Sequence, residues 1–198
     1  MKKKLILLGG GGHCKSCIDV IEQSGRYEIV GIIDQKERFG KLVLGYKIIG
    51  TDEDIESLVN KGNEFLVTVG QIKTAETRVR LFNQLRQYNA KIATIISPRA
   101  YVSQHAKIGG GSIIMHDALI NASASIGKNC IINTKALIEH DVIIGDHSHI
   151  STGAVINGGV DIKQGTFFGS NATSREYVAS LEVDFIKAGT VYKGLKNV

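Results

Sequence analysis

Residues 132–150 read INTKALIEHDVIIGDHSHI, and Ile132, Ile138, Ile144 and Ile150 within them stand six residues apart. The spacing extends outward in both directions. Val102, Ile108, Ile114, Ile120 and Ile126 precede this stretch in the same frame, and Ile156, Ile162 and Phe168 follow it. Four residues after each sits a small or β-branched residue, such as Ala118, Ala136, Val142, Ala154 and Ala172. A period of six matches neither the 3.6-residue repeat of a helix nor the alternation of a strand. It matches a parallel β-helix of triangular cross-section, in which six residues make one face and one corner. Each large aliphatic then points at the axis, and the small residue fills the narrow space by the corner. One coil cannot bury its face alone, so stacked coils make the core. Twelve units predict four coils over residues 102–172. Gly109, Gly127 and Gly145 each follow an aliphatic and are expected at tight corners that need relaxed backbone angles. The frame is expected to break after Phe168, with a loop over residues 175–183 and one more coil edge over 185–191.

Upstream the pattern changes. Residues 4–8 form an apolar run, four glycines follow at Gly9 to Gly12, and residues 13–24 carry a helical pattern with Ile18, Val20 and Ile21 apolar. Residues 28–33 make a second apolar strand that ends at Asp34. Strand, glycine turn, helix, strand and acid is the opening of a Rossmann-like unit. Its dinucleotide fingerprint is incomplete, because Cys14 takes the third glycine position. Strands are predicted at 47–49, 64–69 and 91–96, and helices at 52–60 and 74–88, the latter with Val79, Leu81, Phe82 and Leu85 on its apolar side. This alternation predicts a small parallel sheet covered by helices. Ser97-Pro98 marks the junction. The fold class is therefore α/β plus β, with a Rossmann-like domain over 1–98 and a β-helix over 99–198.

Composition narrows the function classes. The chain has 198 residues, 43% hydrophobic and 22% charged, with a formal net charge of +5. No stretch reaches membrane-spanning length. Lys2-Lys3-Lys4 with the short apolar run after it leads into glycines, not a cleavage site, so a first strand is expected and not a signal peptide. No basic stripe is interleaved with aromatics, which argues against nucleic acid. A mildly basic surface suits phosphorylated small molecules. Cys14, Cys17 and Cys130 are odd in number and form no disulfide or zinc pattern, so a reducing cytoplasm and no metal are expected. The C-x-x-C at Cys14–Cys17 is read as packing.

The hexapeptide frame, the run Leu7-Leu8-Gly9-Gly10-Gly11-Gly12-His13, and the stretch from Ile132-Asn133-Thr134 through Ile138-Glu139-His140-Asp141 carry a family resemblance. The chain resembles the hexapeptide-repeat bacterial sugar acyltransferases, which include sialic acid O-acetyltransferases and bacillosamine-pathway N-acetyltransferases. The resemblance implies left-handed coils, against the usual right-handed crossover rule. It implies acetyl-CoA as co-substrate, a homotrimer, and a nucleotide-activated sugar as acceptor, in particular a UDP-linked 4-amino-6-deoxy sugar. Within the family, O-acetylation of a sialic-acid-like sugar is the alternative reaction. A non-catalytic nucleotide-sugar-binding protein is the alternative from another class.

The six histidines sort by position. His105, His116 and His147 fall at outward positions and are expected at solvated surface. His140 also points outward, between Glu139 and Asp141. Acyl transfer to an amine needs a proton removed, which an imidazole does near neutrality. A carboxylate on its other nitrogen would fix the tautomer. The resemblance places the catalytic base at His140, with Asp141 as its carboxylate and Glu139 completing the triplet. It places Asn133 and the glycine-turn His13 against the sugar nucleotide. Gly10, Gly11, Gly12, Asp34, Gln35 and Gly70 are expected to line that pocket at the carboxyl ends of the sheet strands, where open α/β folds bind ligands, with Asp34 accepting from ribose or base. It places His149 against the acyl donor, as an oxyanion donor. Gly158, Gly159, Ser170 and Ala188 complete the expected acetyl-CoA site, with the two glycines letting a pantetheine arm lie against the coil wall.

Overall fold

A computed structural model describes residues 2–71 and 73–196. The chain divides into two compact units, Met1–Gly70 with Glu76–Ile95, and Gln71–Ala75 with Ile96–Val198.

The first unit is the Rossmann-like sheet. Its elements are β1 (Lys3–Leu8), α1 (Gly12–Ser24), β2 (Tyr27–Ile33), β3 (Leu42–Val43), β4 (Tyr46–Gly50), α2 (Ile55–Asn60), β5 (Glu64–Val67), α3 (Glu76–Gln87) and β6 (Lys91–Ile92). The strand order is β3-β4-β2-β1-β5-β6, parallel except for the β3–β4 hairpin at one edge. Residues 5–8 of β1 are fully buried, as expected for a central parallel strand covered on both faces. The β3–β4 hairpin was not expected from the sequence, because a two-residue strand carries no periodic signal. On α3 the inward face is Arg78, Leu81, Phe82 and Leu85, with Arg78 only 1% exposed. Val79, expected inward, is half-buried instead.

The second unit is the left-handed β-helix. Among the described residues it forms three sheets, each six rungs deep. The first face carries the rungs Ile113–Ile114, Ile131–Ile132, His149–Ile150, Phe167–Phe168 and Phe185–Ile186 above an initial rung at Ile95–Ile96. The second runs from Tyr101–Val102 through Leu119–Ile120, Leu137–Ile138, Val155–Ile156 and Thr173–Ser174 to Val191–Tyr192. The third runs from Lys107–Ile108 through Ser125–Ile126, Ile143–Ile144, Asp161–Ile162 and Val178–Ala179 to Leu195–Lys196, whose pairing alone is antiparallel. Partners lie eighteen residues apart, as in Ile120 with Ile138 and Ile138 with Ile156. From Ile114 to Phe168 every frame aliphatic is buried, while Val102 and Ile108 are half-buried at the open first coil. Each buried isoleucine contributes about 1.5–3 kcal/mol of transfer free energy.

Two sequence expectations are corrected. The four coils over 102–172 are present, but the coil extends beyond them at both ends to six rungs per face, and it continues through residues 175–183 without a loop. The frame positions there are Ser174 and Ser180, at 1% and 3% exposure. Their hydroxyls accept the backbone N–H groups of Asn157 and Lys163, both at 2.8 Å. Hydrogen bonding replaces apolar burial, so the hydrophobic frame fades while the backbone repeat persists. The second correction concerns the glycines. Gly109, Gly127 and Gly145 are absent from the positive-φ positions. A Cβ on any of them would overlap backbone of the next coil, so they are glycine for close stacking. The left-handed backbone falls two residues later, at Gly111, Asp117, Ser123, Asn129, Lys135, Asp141 and His147, and continues every six residues to Gly189.

Candidate active site

That corner backbone builds the arrangement at His140. On a strand, neighbouring side chains point to opposite faces. Asp141 instead has φ 61°, which turns its carboxylate back onto the preceding residue. Asp141 Oδ2 lies 2.8 Å from His140 Nδ1, with the side chains 63% and 51% exposed respectively. The carboxylate can only accept, so Nδ1 carries a proton, and in the neutral imidazole Nε2 presents its lone pair. Below the ring, Glu139 Oε2 accepts from Asn121 Nδ2 at 2.9 Å and from the His140 backbone N–H at 3.2 Å. Glu139 therefore holds the corner backbone and does not touch the imidazole.

Gly158 sits one coil above His140. A Cβ there would lie 2.7 Å from His140 Cε1 and 2.8 Å from Nε2. The ring thus rests on the Gly158 backbone, and the expectation of an uncovered glycine wall at this point is not met. Gly159, with φ 67°, is covered in turn by the ring of Tyr177.

His149 differs from its expectation. It is 6% exposed. Asn133 Oδ1 accepts the Thr134 N–H at 2.8 Å, so its Nδ2 donates to His149 Nε2 at 3.1 Å. Nδ1 then carries the proton and donates to the Gln71 carbonyl at 2.9 Å. Both ring nitrogens are committed within the protein, which leaves no N–H directed at a thioester. Asn133 is committed with it. His116, expected at solvated surface, is half-buried with its Nδ1 2.6 Å from Ser97 Oγ. His147 pairs with Asn129 Nδ2 at 3.0 Å, and His105 is exposed as expected.

The expected donor residues divide between two corners of the triangle. Gly158 and Gly159 share the corner of His140, between the second and third faces. Ser170 and Ala188 lie on the corner between the first and second faces, with Asn133. Ser170 Oγ is 2.9 Å from Ser151 Oγ, and Ala188 is exposed. One whole face separates the two groups within the chain.

The first unit holds the glycine turn. Gly10 N–H donates to Asp34 Oδ2 at 2.8 Å, and Gly10 O accepts from Arg38 Nη2 at 2.9 Å. Arg38 Nη1 also pairs with Asp34 Oδ2. Asp34 Oδ1 accepts the Gln35 N–H at 2.7 Å. Asp34 thus clamps the turn, with a hydrogen bond on each of its oxygens. Arg38 was missed because nothing in the sequence ties it to a glycine 28 residues away. Gly9, at φ 100°, packs so closely on Val69 that a side chain there would overlap it. Gly11 and Gly12 have open space over their α-carbons, at the start of α1. A Cβ on Gly70 would lie 3.2 Å from His13 Cβ. Burial, then the charge of Arg78, pushes His13 down to about 4. Cys14 and Cys17 are wholly buried, and burial raises both thiols, Cys14 to about 11. Cys130 is likewise a core residue. No group of metal-ligating side chains occurs among the described residues. No helix among them is long and apolar enough to cross a membrane.

The bacterial transferase hexapeptide family matches residues 123–158, and the PglD N-terminal domain family matches residues 4–85. The match to the hexapeptide model falls within the coil. The sheet unit and the coil thus each match a family model of their own. No curated protein matches the chain. Solved structures do. The acetyltransferase domain of PglB from Neisseria gonorrhoeae FA1090 is 28% identical, with a TM-score of 0.91 over 98% of this chain and 93% of that one. Its complex with acetyl coenzyme A is 27% identical, with a TM-score of 0.83 over 96% of each chain. A His-to-Asn mutant of perosamine N-acetyltransferase from Caulobacter crescentus, in complex with CoA and GDP-perosamine, is 26% identical, with a TM-score of 0.90 over 98% of this chain and 90% of that one.

Proposed function

We propose that this chain transfers the acetyl group of acetyl-CoA to the amino group of a nucleotide-activated amino sugar, a UDP-linked 4-amino-6-deoxy sugar, with His140 as general base. The observation that carries the reading is the His140–Asp141 pair, which leaves Nε2 as the unbonded nitrogen of a half-exposed ring. The amine nitrogen forms the new bond to the acetyl carbon, the carbon–sulfur bond breaks, and Nε2 takes the amine proton. That proton is then available to the departing thiolate. Asp141 stabilises the imidazolium between these events. The PglB acetyltransferase domain complexed with acetyl coenzyme A supports the donor. The perosamine N-acetyltransferase bound to GDP-perosamine supports an N-acetyl product, and makes the GDP-linked sugar the competing acceptor.

The active form is a cyclic trimer in this reading. Turning the second face of three coils toward a common axis brings the first corner of one chain beside the His140 corner of the next. The donor residues separated within one chain would then meet between two. The second face suits burial: Tyr101 and Val191 are 61% and 64% exposed, and Leu119, Leu137 and Val155 between them are half-buried.

The test is thiol release from acetyl-CoA against a panel of UDP- and GDP-linked amino sugars, with the product checked for a lost free amine. His140→Ala is expected to lower kcat by roughly 10²–10⁴ with the accepted sugar, the usual range for a general base. CoA binding should persist. Near-normal turnover by that variant would place the base elsewhere.

A further inference from the structure

Two rings lie against one pair of glycines. His140 covers Gly158 from the coil below, through its Cε1–Nε2 edge. Tyr177 covers Gly159 from the coil above, through its Cδ1–Cε1 edge. The stacking is fixed by backbone bonds: Gly159 N–H donates to His140 O at 3.0 Å, and Tyr177 N–H donates to Gly158 O at 3.1 Å. Asp141 holds Nδ1, so the basic Nε2 is on the Gly158 side, facing the coils toward Tyr177. Tyr177 is 62% exposed and has φ 51°, a conformation costly for a bulky side chain.

The same corner is chemically asymmetric along the coil axis. Toward the C-terminus, Glu139 is followed at the equivalent positions by Asn157, Arg175 and Lys193. Arg175 N–H donates to Tyr192 O at 2.9 Å, which stacks it directly under Lys193. Both cations are exposed, and neither joins an ion pair among the described residues. Glu176 is the single acid added beside them. With coils spaced about 4.8 Å apart, Arg175 and Lys193 stand roughly 10 and 14 Å above Glu139. Toward the N-terminus the corner offers Asn121, Ala122 and Ser123, then Ser103, Gln104 and His105, with no lysine or arginine. A long thiol carrier with a diphosphate at its far end therefore fits the C-terminal direction, and its arm must cross Tyr177.

We propose that Tyr177 is a donor-contacting residue, its ring forming the wall on which the pantetheine arm of acetyl-CoA lies beside His140. The inference rests on the acetyl-CoA reading above. It replaces bare glycine by an aromatic surface as the contact at this corner.

The experiment is calorimetric titration of CoA into wild type, Tyr177→Phe and Tyr177→Asn, followed by steady-state kinetics. Asparagine tolerates the left-handed backbone, so the corner is kept while the ring is lost. Tyr177→Asn is expected to weaken CoA binding about tenfold and raise the KM for acetyl-CoA equally, with the sugar KM and the pH profile unchanged. Tyr177→Phe should bind CoA as wild type does. Unaltered CoA affinity in Tyr177→Asn, or a rise in the sugar KM alone, overturns the assignment while leaving the acetyltransferase reading intact. Wild type that binds no CoA overturns that reading and this inference together.

Discussion

At the scale of single residues, the His140 site depends on one glycine that contributes no functional group. The imidazole can rest on the coil only while position 158 lacks a side chain. Gly158→Ala would drive a methyl into Cε1 and Nε2, and the ring must leave Asp141 or tilt. Misplacement of about 1 Å costs on the order of 10² in rate. The expected outcome is a fall of that size in kcat with CoA affinity retained. A variant that loses CoA binding and keeps kcat would make Gly158 a donor contact instead. His13 supplies a stability prediction. Its folded value near 4 lies below the ordinary 6.5, so between those values the unfolded chain holds more protons. Stability therefore rises with pH across that window. It is complete above about 6.5 and is lost as pH falls toward 4, by on the order of 3 kcal/mol. Denaturant unfolding of wild type should show that loss, and His13→Gln should not.

At the scale of elements, the glycine turn between β1 and α1 owes its shape to a clamp from outside the turn. Gly10 is held through its N–H by Asp34 and through its carbonyl by Arg38. Removing either partner leaves the other half of a charged pair and a loosened turn. Arg38→Ala and Asp34→Ala are each expected to raise the KM for the sugar nucleotide about tenfold and to leave that for acetyl-CoA unchanged. Equal increases in both constants would remove the turn from sugar binding. The coil shows a comparable substitution of forces. Where Ser174 and Ser180 replace isoleucine, side-chain bonds to the backbone of the coil below preserve the stacking.

At the scale of the whole molecule, the question is whether the second face is buried by copies of itself. Leu137 and Val155 are its central outward residues. Leu137→Glu should leave a folded chain, because the side chain faces away from the coil axis, while placing three like charges at the proposed axis. Sedimentation is expected to show a monomer with little activity. A monomer with full activity would mean that one chain completes the site alone.

The β-helix was legible in the sequence because its core repeats are a one-dimensional property: every sixth residue meets the axis whatever its neighbours do. The glycine turn and parallel sheet were legible for a similar reason, since turn chemistry and strand alternation are local. His140 and Asp141 could be paired on paper because they are adjacent, yet only the left-handed corner at Asp141 decides that they meet. The remainder of the site was decided by tertiary structure. Gly158 seats His140 from eighteen residues away, Arg38 reaches Gly10 from twenty-eight, and Gln71 engages His149 from seventy-eight. Periodicity states which residues stack, but not where a polar side chain turns once it has a choice of partners. That choice is settled by which hydrogen-bonding groups are left beside it when the coils close.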